Sequence, residues 1–367
     1  MAEGAPLLRE YVGKTCIEGS NPSDSAKPST PRACGAFLFP EVAMPVLRSW
    51  LGLAVLGCLL AVGLPARALD LQGHRGARGL APENTLRGFE VALQHGVSTL
   101  ELDIAITRDG VLVIHHDLEL NPAIARDEQG RWLETSSATI HTMSWAELQR
   151  YDVGRLKPGS NYAKPYPDQV GADGVRIPRL SELFELVQKG GHDRVRLAIE
   201  TKISPIRPDA TRPPEEFAAL LMDEIRRAGM LGRVQILSFD WRSLQAVQRL
   251  APEVPTVYLS AQQRWLDNIQ ADVRKASPWT AGIAYHDHGS VPAMIKAAGG
   301  RIWSVFHGDL DAGKLKAAKA LGLQVLVWTV NDPVTMRRML DLGVDGLITD
   351  RPDLAQQVLR ERGITAR

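Results

Sequence analysis

Cysteine is scarce in this chain and absent from most of it. Cys16, Cys34 and Cys58 are the only three, and none follows Leu69. The body of the chain therefore cannot form a disulfide. A body without thiols suits an oxidising compartment such as the periplasm.

An excess of charge of one sign is also absent. The 43 lysines and arginines balance 42 aspartates and glutamates, which leaves a net charge of +1, and the basic residues are dispersed along the chain. A nucleic-acid surface needs a basic stripe or patch. We therefore expect no nucleic-acid partner.

Apolar runs long enough to span a membrane are missing as well, but one shorter run stands near the amino terminus. It occupies 14 residues (51–64), after the basic start MPVLRSW at Met44 and before ARA at 66–68. This order is typical of a cleaved secretory signal peptide over residues 44–68, and it predicts a periplasmic or secreted protein with no stable membrane span in the mature chain. An uncleaved anchor is the alternative, although the run is short for a span.

Residues 1–43 precede this signal and are rich in Pro, Ser and Gly, without apolar periodicity. Because a signal normally begins a chain, we interpret them as a misassigned start or a disordered extension. Cys58 gives the string VLGC a likeness to a lipoprotein signal, but the apolar run continues beyond it, which disfavours lipidation. Residues 69–367 are enough for one α/β barrel, whose typical size is about 250 residues.

What the sequence has instead is a set of polar residues concentrated in the segment 71–121. His74 closes the short strand LQGH, and the glycines that follow allow a turn whose backbone N–H groups approach an anion. The next strand, STLELDIAIT, carries Glu101 and Asp103 two residues apart and therefore on one face. Two acids among apolar neighbours are costly to bury, so they predict a bound cation.

A further strand, VLVIHHD, ends in His115, His116 and Asp117. Each of these residues, taken alone, is more commonly a structural histidine or a solvent-facing acid. The repeated strand-then-helix pattern favours function, because parallel barrels display their catalytic groups at the carboxyl ends of the strands.

Strand and helix patterns alternate through the rest of the chain. After the first two strands, the candidates are VRLAIETK (195–202), VQILSF (234–239), PTVYL (255–259), IWSVF (302–306), QVLVWTV (324–330) and DGLITD (345–350). Eight strands with helices between them predict a TIM-type (β/α)8 barrel with an insertion after the second strand region. In the sixth repeat, GIAYHD (282–287) competes with IWSVF. An open doubly wound sheet is the alternative fold, but no GxGxxG follows the first strand.

The insertion, residues 118–177, has no clean strand-helix repeat and is rich in Pro, Gly, Asn and Asp. Loops of this length inside a barrel are usually functional. Because it follows HHD, we expect it to lie over the barrel mouth. A peripheral excursion far from the chemistry is the alternative.

Short motifs in a fixed order resemble those of the glycerophosphodiester phosphodiesterase family. They are HRG, PENT, ELD, HHD, AIETK, VWTVND and GVDGLITDRPDL, and together they reach from about Leu71 to Leu354. The resemblance implies a metal-dependent enzyme that cleaves small glycerophosphodiesters to glycerol 3-phosphate and an alcohol. It also implies that the insertion helps to form the pocket for the glycerol and the head group.

The resemblance further implies roles for individual residues. His74 and His116 would be the acid–base pair, and His116 is chosen over His115 because the family's histidine directly precedes Asp. The implied ligands of one divalent cation are Glu101, Asp103 and Glu200, and the implied phosphate-binding residues are Arg75 and Lys202.

These residue types suit the chemistry of a phosphodiester, an anion that resists attack. A catalyst must neutralise the developing charge and protonate the leaving alkoxide. We expect His74 and His116 to lie on neighbouring strands, where they would flank the phosphorus and divide the proton transfers. Carboxylate oxygens suit Ca²⁺ or Mg²⁺, whereas a zinc site would be richer in His or Cys. The nucleophile is either water or the substrate's own glycerol 2-hydroxyl, which would give a cyclic phosphate.

Several other residues receive more than one interpretation. Trp328, near a strand end, either lines the glycerol or head-group pocket or packs in the core. His286 and His288 have a spacing that could bind a metal if further ligands came from elsewhere. Asp345 and Asp350 are expected to cap or brace the last strand-helix turn.

Two other functions compete with this interpretation. A phospholipase of the same barrel superfamily would need an apolar rim at the mouth, and the insertion is largely polar. A non-catalytic binding protein would have no need of an acid–base pair.

Overall fold

The structure is a computed structural model that describes residues 68–367. Its strands are β1 (Ala68–Gly73), β2 (Thr99–Ile106), β3 (Leu112–Ile114), β4 (Arg196–Thr201), β5 (Val234–Ser238), β6 (Thr256–Ser260), β7 (Gln262–Gln263), β8 (Leu266–Asp267), β9 (Ile302–Phe306), β10 (Gln324–Trp328), β11 (Gly346–Thr349) and β12 (Thr365–Ala366). Its α-helices are α1 (Leu86–Gln94), α2 (Trp145–Leu148), α3 (Leu180–Lys189), α4 (Pro214–Arg227), α5 (Trp241–Leu250), α6 (Tyr285–His288), α7 (Val291–Ala297), α8 (Ala312–Ala320), α9 (Pro333–Leu342) and α10 (Pro352–Glu361). The interpretations of residues 1–43 and of the signal peptide fall outside the described residues, apart from Ala68.

Eight of these strands form a closed parallel barrel. β1 pairs with both β2 and β11, so the ring β1-β2-β4-β5-β6-β9-β10-β11 has no free edge. Nearly all residues of these strands are buried, as expected for parallel strands that are covered by helices outside and by one another inside. The TIM-type (β/α)8 barrel is confirmed, and the open sheet is wrong.

Side-chain caps start several of the surrounding helices where the sequence places Thr or Asp. Thr85 accepts a hydrogen bond from the Gly88 N–H at the start of α1, and Asp332 accepts one from the Thr335 N–H at the start of α9. Each cap satisfies an N–H group that has no partner within the helix. The helices pack apolar faces on the barrel, and none of those in the described residues is long and apolar enough to cross a membrane.

The sixth repeat is resolved in favour of IWSVF. This segment forms β9 between β6 and β10, while residues 285–288 of the competing string form the short helix α6. His286 and His288 lie on that helix, and within residues 68–367 they belong to no group of three metal-ligating side chains. The structure gives their HxH spacing no further ligand.

The strand that carries the second histidine departs from the expected arrangement. β3 runs antiparallel to the carboxyl-terminal part of β2, with Ile104 opposite Ile114. His116 therefore does not follow a parallel barrel strand that neighbours the strand of His74. The reason is the connection, because residues 107–111 are too few for a crossover to a parallel strand, which takes a dozen or more residues. The hairpin nevertheless returns HHD to the barrel, where the His115 N–H donates to the Asp103 carbonyl at 2.9 Å.

The insertion, residues 118–177, follows this hairpin and has little regular structure. A small apolar cluster that includes Leu120, Ile140 and Leu148 packs it on Ala105 and Val113 of the β2–β3 hairpin, on the face that also carries Asp103. Its far end reaches the turn after β1, where the Val170 N–H donates to the Leu80 carbonyl at 2.9 Å. The insertion is therefore tied to the same edge of the barrel that carries HRG.

Candidate active site

The carboxyl ends of neighbouring strands bring most of the sequence-predicted site residues together. Asp103 stands opposite Glu200 in the register of β2 and β4, and side-chain alternation points Glu101 to the same interior face. The six residues on these strand ends are His74 and Arg75 after β1, Glu101 and Asp103 on β2, and Glu200 and Lys202 at the end of β4. We call this side of the barrel mouth, together with the end of β11, the charged half.

Three carboxylates form the centre of the charged half. Glu101, Asp103 and Glu200 each offer an oxygen, these oxygens lie within 4.8 Å of one another, and all three residues are buried. Burial, and then the charges of the other two acids, raise the pKa of Glu101 well above its usual range. Ionised carboxylates that are this close together and shielded from solvent repel one another unless a cation lies between them. The hard oxygen donors fit Ca²⁺ or Mg²⁺.

Lys202 lies against these acids. Its Nζ donates to Glu200 Oε1 at 2.6 Å and lies 3.6 Å from Asp103 Oδ1. Burial alone would lower the pKa of Lys202, but Glu200 and Asp103 outweigh it and raise that pKa, so the amine stays charged. Lys202, which the sequence predicts to bind the phosphate, is thus a cation at the edge of the acid cluster.

Arg75 occupies the sharp turn after β1. Its backbone is left-handed (φ 49°), a conformation that non-glycine residues adopt at a cost and that surrounding bonds must hold. Its N–H donates to Glu101 Oε2 at 2.8 Å, and its carbonyl accepts from the Asn84 N–H at 2.9 Å. Its guanidinium lies 3.2 Å from Asp103 and 2.8 Å from Glu83. Burial alone would lower the pKa of Arg75, but Glu83 and Asp103 raise it.

His74 has a partner that the sequence analysis interpreted as a cap. His74 Nδ1 lies 2.6 Å from Asp350 Oδ1, and the Asn331 side-chain amide donates to Asp350 Oδ2 at 2.7 Å. Burial alone would raise the pKa of Asp350, but His74 lowers it to about 2, so the carboxylate is ionised and Nδ1–H is the donor. His74 Nε2 then faces the site as an acceptor, 4.0 Å from Glu101 Oε2.

His116 has a similar arrangement. Its Nδ1 lies 2.6 Å from Asp117 Oδ1, and the Asn121 amide donates to Asp117 Oδ2 at 3.1 Å. Burial, followed by the charges of Arg75 and Lys202, lowers the pKa of His116 well below its usual value, which places this ring beside the cations of the site. His115 instead pairs through Nε2 with the Glu119 carbonyl at 3.3 Å.

Sequence reasoning missed Asp350 and Asn331 as partners of a predicted site residue. Asp350 is 276 residues from His74 along the chain, so no local pattern joins them. One signal could have found Asp350. Catalytic residues of such barrels lie at the carboxyl ends of the strands, and Asp350 directly follows β11.

The other side of the mouth is aromatic. Phe239 after β5, Phe306 in β9, Trp328 in β10 and Trp265 between β7 and β8 form a cluster that we call the aromatic wall, packed on the apolar barrel interior. Trp328 has its ring centroid 5.4 Å from that of Phe239, 5.6 Å from Phe306 and 6.1 Å from Trp265, with the rings edge to face. Trp328 is only 7% exposed and its Nε1–H donates to the Ser304 carbonyl, so much of its surface is packed.

Comparison with known proteins gives one consistent family. Residues 74–354 match the model of the glycerophosphoryl diester phosphodiesterase family. The chain is 28% identical over 300 residues to the glycerophosphodiester phosphodiesterase of Bacillus subtilis (strain 168), which covers 80% of this chain and 87% of that one. It is 27% identical over 290 residues to the glycerophosphodiester phosphodiesterase of Caldanaerobacter subterraneus subsp. tengcongensis. This match covers 79% of this chain and 97% of that one.

A solved structure extends the likeness to three dimensions. The crystal structure of a protein from Silicibacter pomeroyi DSS-3, assigned as a glycerophosphoryl diester phosphodiesterase, superposes with a TM-score of 0.73 at 36% identity. The match covers 83% of this chain and 97% of that one.

Proposed function

This chain belongs to the glycerophosphoryl diester phosphodiesterase family, and we propose that its charged half is where it hydrolyses glycerophosphodiesters to glycerol 3-phosphate and an alcohol. One observation carries the proposal. Three buried carboxylates whose oxygens lie within 4.8 Å of one another stand beside two histidines, each with a carboxylate partner, and beside Arg75.

Glu101, Asp103 and Glu200 would hold one divalent cation, Ca²⁺ or Mg²⁺. The bound ion supplies positive charge to the phosphoryl oxygens and so lowers the cost of the charge that develops on them. The raised pKa of Glu101 supports this role, because burial and then the charges of Asp103 and Glu200 disfavour its ionised form, and a bound cation would offset both.

Arg75 and Lys202 bind the phosphate in this proposal. Arg75 is buried and Lys202 is largely covered, with 13% of its side chain exposed, and the pKa of each is raised, so their charges persist at neutral pH and are little screened by solvent. The guanidinium of Arg75 matches two phosphate oxygens, which fixes the direction of the phosphorus as well as its position.

His74 and His116 divide the proton transfers. Asp350 and Asp117 hold the Nδ1–H of each ring, so each Nε2 is available to the reaction. One histidine takes the proton of the attacking hydroxyl as the new P–O bond forms, and the other, protonated, gives its proton to the leaving alkoxide as the old P–O bond breaks. The attacking hydroxyl belongs to water or to C2 of the substrate's glycerol.

Trp328 and its neighbours in the aromatic wall contact the organic part of the substrate. They face the same mouth as the charged half and present ring surface instead of charge. The phosphate is therefore bound on one side of the mouth and the glycerol or head group on the other.

The proposed location is the periplasm or the exterior, reached through the signal peptide at residues 44–68. The observation in support is the sequence alone, with its basic start, apolar run and ARA ending. Amino-terminal sequencing of the mature protein tests it, and we expect the first residue to be Leu69. A mature protein that retains residues 44–68 in the cell membrane would contradict cleavage.

A panel of glycerophosphodiesters tests the function. The purified protein is incubated with diesters of choline, ethanolamine, glycerol and inositol in the presence of Ca²⁺ or Mg²⁺, and glycerol 3-phosphate is quantified. We expect its release from at least one diester. The His116→Ala variant should release it at least about 100-fold more slowly, while His115→Ala, its matched control, retains activity. A folded protein that releases glycerol 3-phosphate from none of the diesters would contradict the proposal.

A further inference from the structure

One residue of the insertion enters the turn that carries Arg75. The Tyr162 hydroxyl accepts a hydrogen bond from Arg78 NH2 at 2.6 Å and a longer one from Arg75 NH1 at 3.4 Å, and it donates to Glu83 Oε2 at 2.7 Å. The hydroxyl thus donates one hydrogen bond and accepts two, which is the full hydrogen-bonding capacity of a phenolic oxygen. Tyr162 is thus bonded to both arginines of the turn and to the acid between them.

Glu83 joins these groups into a closed network. Its Oε1 lies 2.8 Å from Arg75 NH1, and its Oε2 lies 2.8 Å from Arg78 Nε. Burial alone would raise the pKa of Glu83, but Arg78 and Arg75 lower it to about 2. The carboxylate is therefore ionised and shared between the arginines. Tyr162 is the one member of this network that the insertion contributes.

The insertion also fixes where Tyr162 stands. Downstream of it, the Gln169 side-chain amide donates to the Arg78 carbonyl at 2.7 Å, and Asp168 pairs with Arg351 at 2.8 Å. The Tyr166 ring stacks against the Arg78 guanidinium, 4.6 Å from the ring centre, and the Tyr162 ring lies 4.9 Å from it. The hydroxyl is therefore held in one place by bonds that do not involve Arg75.

We propose that Tyr162 is a positioning residue for phosphate binding, which acts by fixing Glu83 and the Arg75 guanidinium. The proposal rests on the phosphate-binding role of Arg75 proposed above. Arg75 lies between Glu83 on one side and Asp103 on the other, and either acid can draw the guanidinium towards itself. The Tyr162 hydroxyl binds the Oε2 side of Glu83, which leaves Oε1 for Arg75. Through this bond the insertion sets the affinity of the site for a phosphoryl group.

The test compares Tyr162→Phe with Tyr166→Phe. Both tyrosines stack on Arg78, but the Tyr166 hydroxyl makes no hydrogen bond within residues 68–367, so Tyr166→Phe removes an equal atom without touching the network. Both variants keep the ring and its contact with Arg78. KM and kcat for an active glycerophosphodiester, and the inhibition constants of glycerol 3-phosphate and inorganic phosphate, are measured with Ca²⁺ present.

For Tyr162→Phe we expect KM and both inhibition constants to rise about tenfold, the effect of losing a hydrogen bond to charged groups, while kcat changes less than about threefold. Tyr166→Phe should match the unaltered protein. Equal inhibition constants in the two variants would overturn the proposal. A fall of the thermal midpoint by more than about 8 °C in Tyr162→Phe would overturn it too, because the hydroxyl would then serve folding.

A double-mutant cycle shows whether Tyr162 acts through Arg75. In the Arg75→Lys background, which has no guanidinium to position, Tyr162→Phe should change phosphate affinity less than about twofold. Additive effects would mean that Tyr162 acts independently of Arg75 and would overturn the proposal. Calorimetric titration with inorganic phosphate gives this result without turnover. A protein that binds phosphate through Arg75 but cleaves no diester contradicts the proposed function and leaves this proposal testable.

Discussion

The charged half of the barrel mouth and the aromatic wall are formed by parallel strands of one barrel, and the strands of both are mostly buried. At the ends of β11, β1, β2 and β4 the interior side chains are acids, a histidine and their cationic partners. At the ends of β5, β9 and β10 they are rings that contact one another edge to face. The two halves therefore differ in how they are held together, not in the backbone that carries them.

This difference separates two kinds of sensitivity. In the charged half each ionised group has an oppositely charged or hydrogen-bonding partner within about 3 Å. Removal of one partner therefore leaves a buried charge whose desolvation cost nothing offsets. In the aromatic wall the loss of one ring removes contact area and leaves no unpaired charge. Substitutions in the charged half should therefore alter turnover strongly, and those in the wall should alter substrate affinity moderately.

The largest effect is expected at the two histidines of the charged half. His74→Ala or His116→Ala should lower kcat by roughly 10² to 10⁴, the usual span for the loss of general acid–base catalysis, with little change in substrate binding. Steady-state kinetics with the substrate found active provides the measurement. A substrate with a nitrophenolate leaving group needs no protonation, so it should restore much of the rate to the variant that lacks the acid and not to the one that lacks the base.

The same experiment can contradict the assignment. Normal turnover by His116→Ala, with His115→Ala inactive, would reverse the choice within HHD. Normal turnover by both His74→Ala and His116→Ala would exclude the acid–base mechanism.

The next effect concerns stability in the charged half. The pKa of Glu83 is lowered to about 2, and linkage makes such a shift worth about 3 kcal/mol of folding free energy. Because the folded pKa lies below the unfolded one, this stabilisation is present above about pH 4.5 and is lost as the pH falls towards 2. Glu83→Gln should lower the free energy of unfolding at pH 7, and less so at pH 3, in urea titrations.

A matched acid outside the site gives the control for that measurement. Glu185 pairs with Lys189 on the exposed face of α3, where solvent screens the charges. Glu185→Gln should leave the unfolding curves almost unchanged. An equal effect of the two substitutions would show that burial at the mouth does not govern the stability of these acids.

A smaller loss is expected from the partner of His74. Asp350→Asn keeps the size of the side chain but removes the charge that holds Nδ1–H, so kcat should fall about 10- to 100-fold with KM nearly constant. Nitrogen NMR of the imidazole should report a change in the population of the two His74 tautomers. Asp345→Asn is the control for the position of the acid along the strand. Asp345 directly precedes β11, at the opposite end from Asp350, and its carboxylate accepts a hydrogen bond from the Val325 N–H. An unchanged kcat in Asp350→Asn would mean that Asp350 only braces the turn.

Much of the charged half was predictable because its pattern is local. The period of two along a strand placed Glu101 and Asp103 on one face, and alternation of strands and helices placed AIETK on a neighbouring strand. The comparisons confirm the family and the barrel. The acid cluster itself follows from register, which apolar strands fix strongly because a slip of one residue would turn the acids out of the barrel.

The rest depends on contacts between distant parts of the chain. Asp350 pairs with His74, and Tyr162 with Arg75, across separations of 276 and 87 residues, for which periodicity gives no signal. Trp265 joins the wall from a hairpin of two short strands that was not among the predicted elements. The antiparallel direction of β3 was missed because the apolar string VLVIHHD fits either direction of pairing, although the short connection at residues 107–111, too short for a crossover, was a signal that could have found it.

The smallest effect is expected in the aromatic wall. Trp265→Leu should raise KM by about two- to fivefold and leave kcat nearly unchanged, since only apolar contact to the organic part of the substrate is lost. Trp145→Leu, which alters a tryptophan of the insertion that lies outside the wall, is the control. A hundredfold fall in kcat for Trp265→Leu would contradict the division of the mouth into a charged half and an aromatic wall.

The central claim is that the three carboxylates of the charged half hold a divalent cation on which hydrolysis depends. Its most direct test is the rate of glycerol 3-phosphate release after exhaustive chelation and again after Ca²⁺ or Mg²⁺ is added. We expect no release from the chelated protein, full recovery with one of the two ions, and no recovery in a folded Glu101→Gln variant. Undiminished release in excess chelator would contradict the claim.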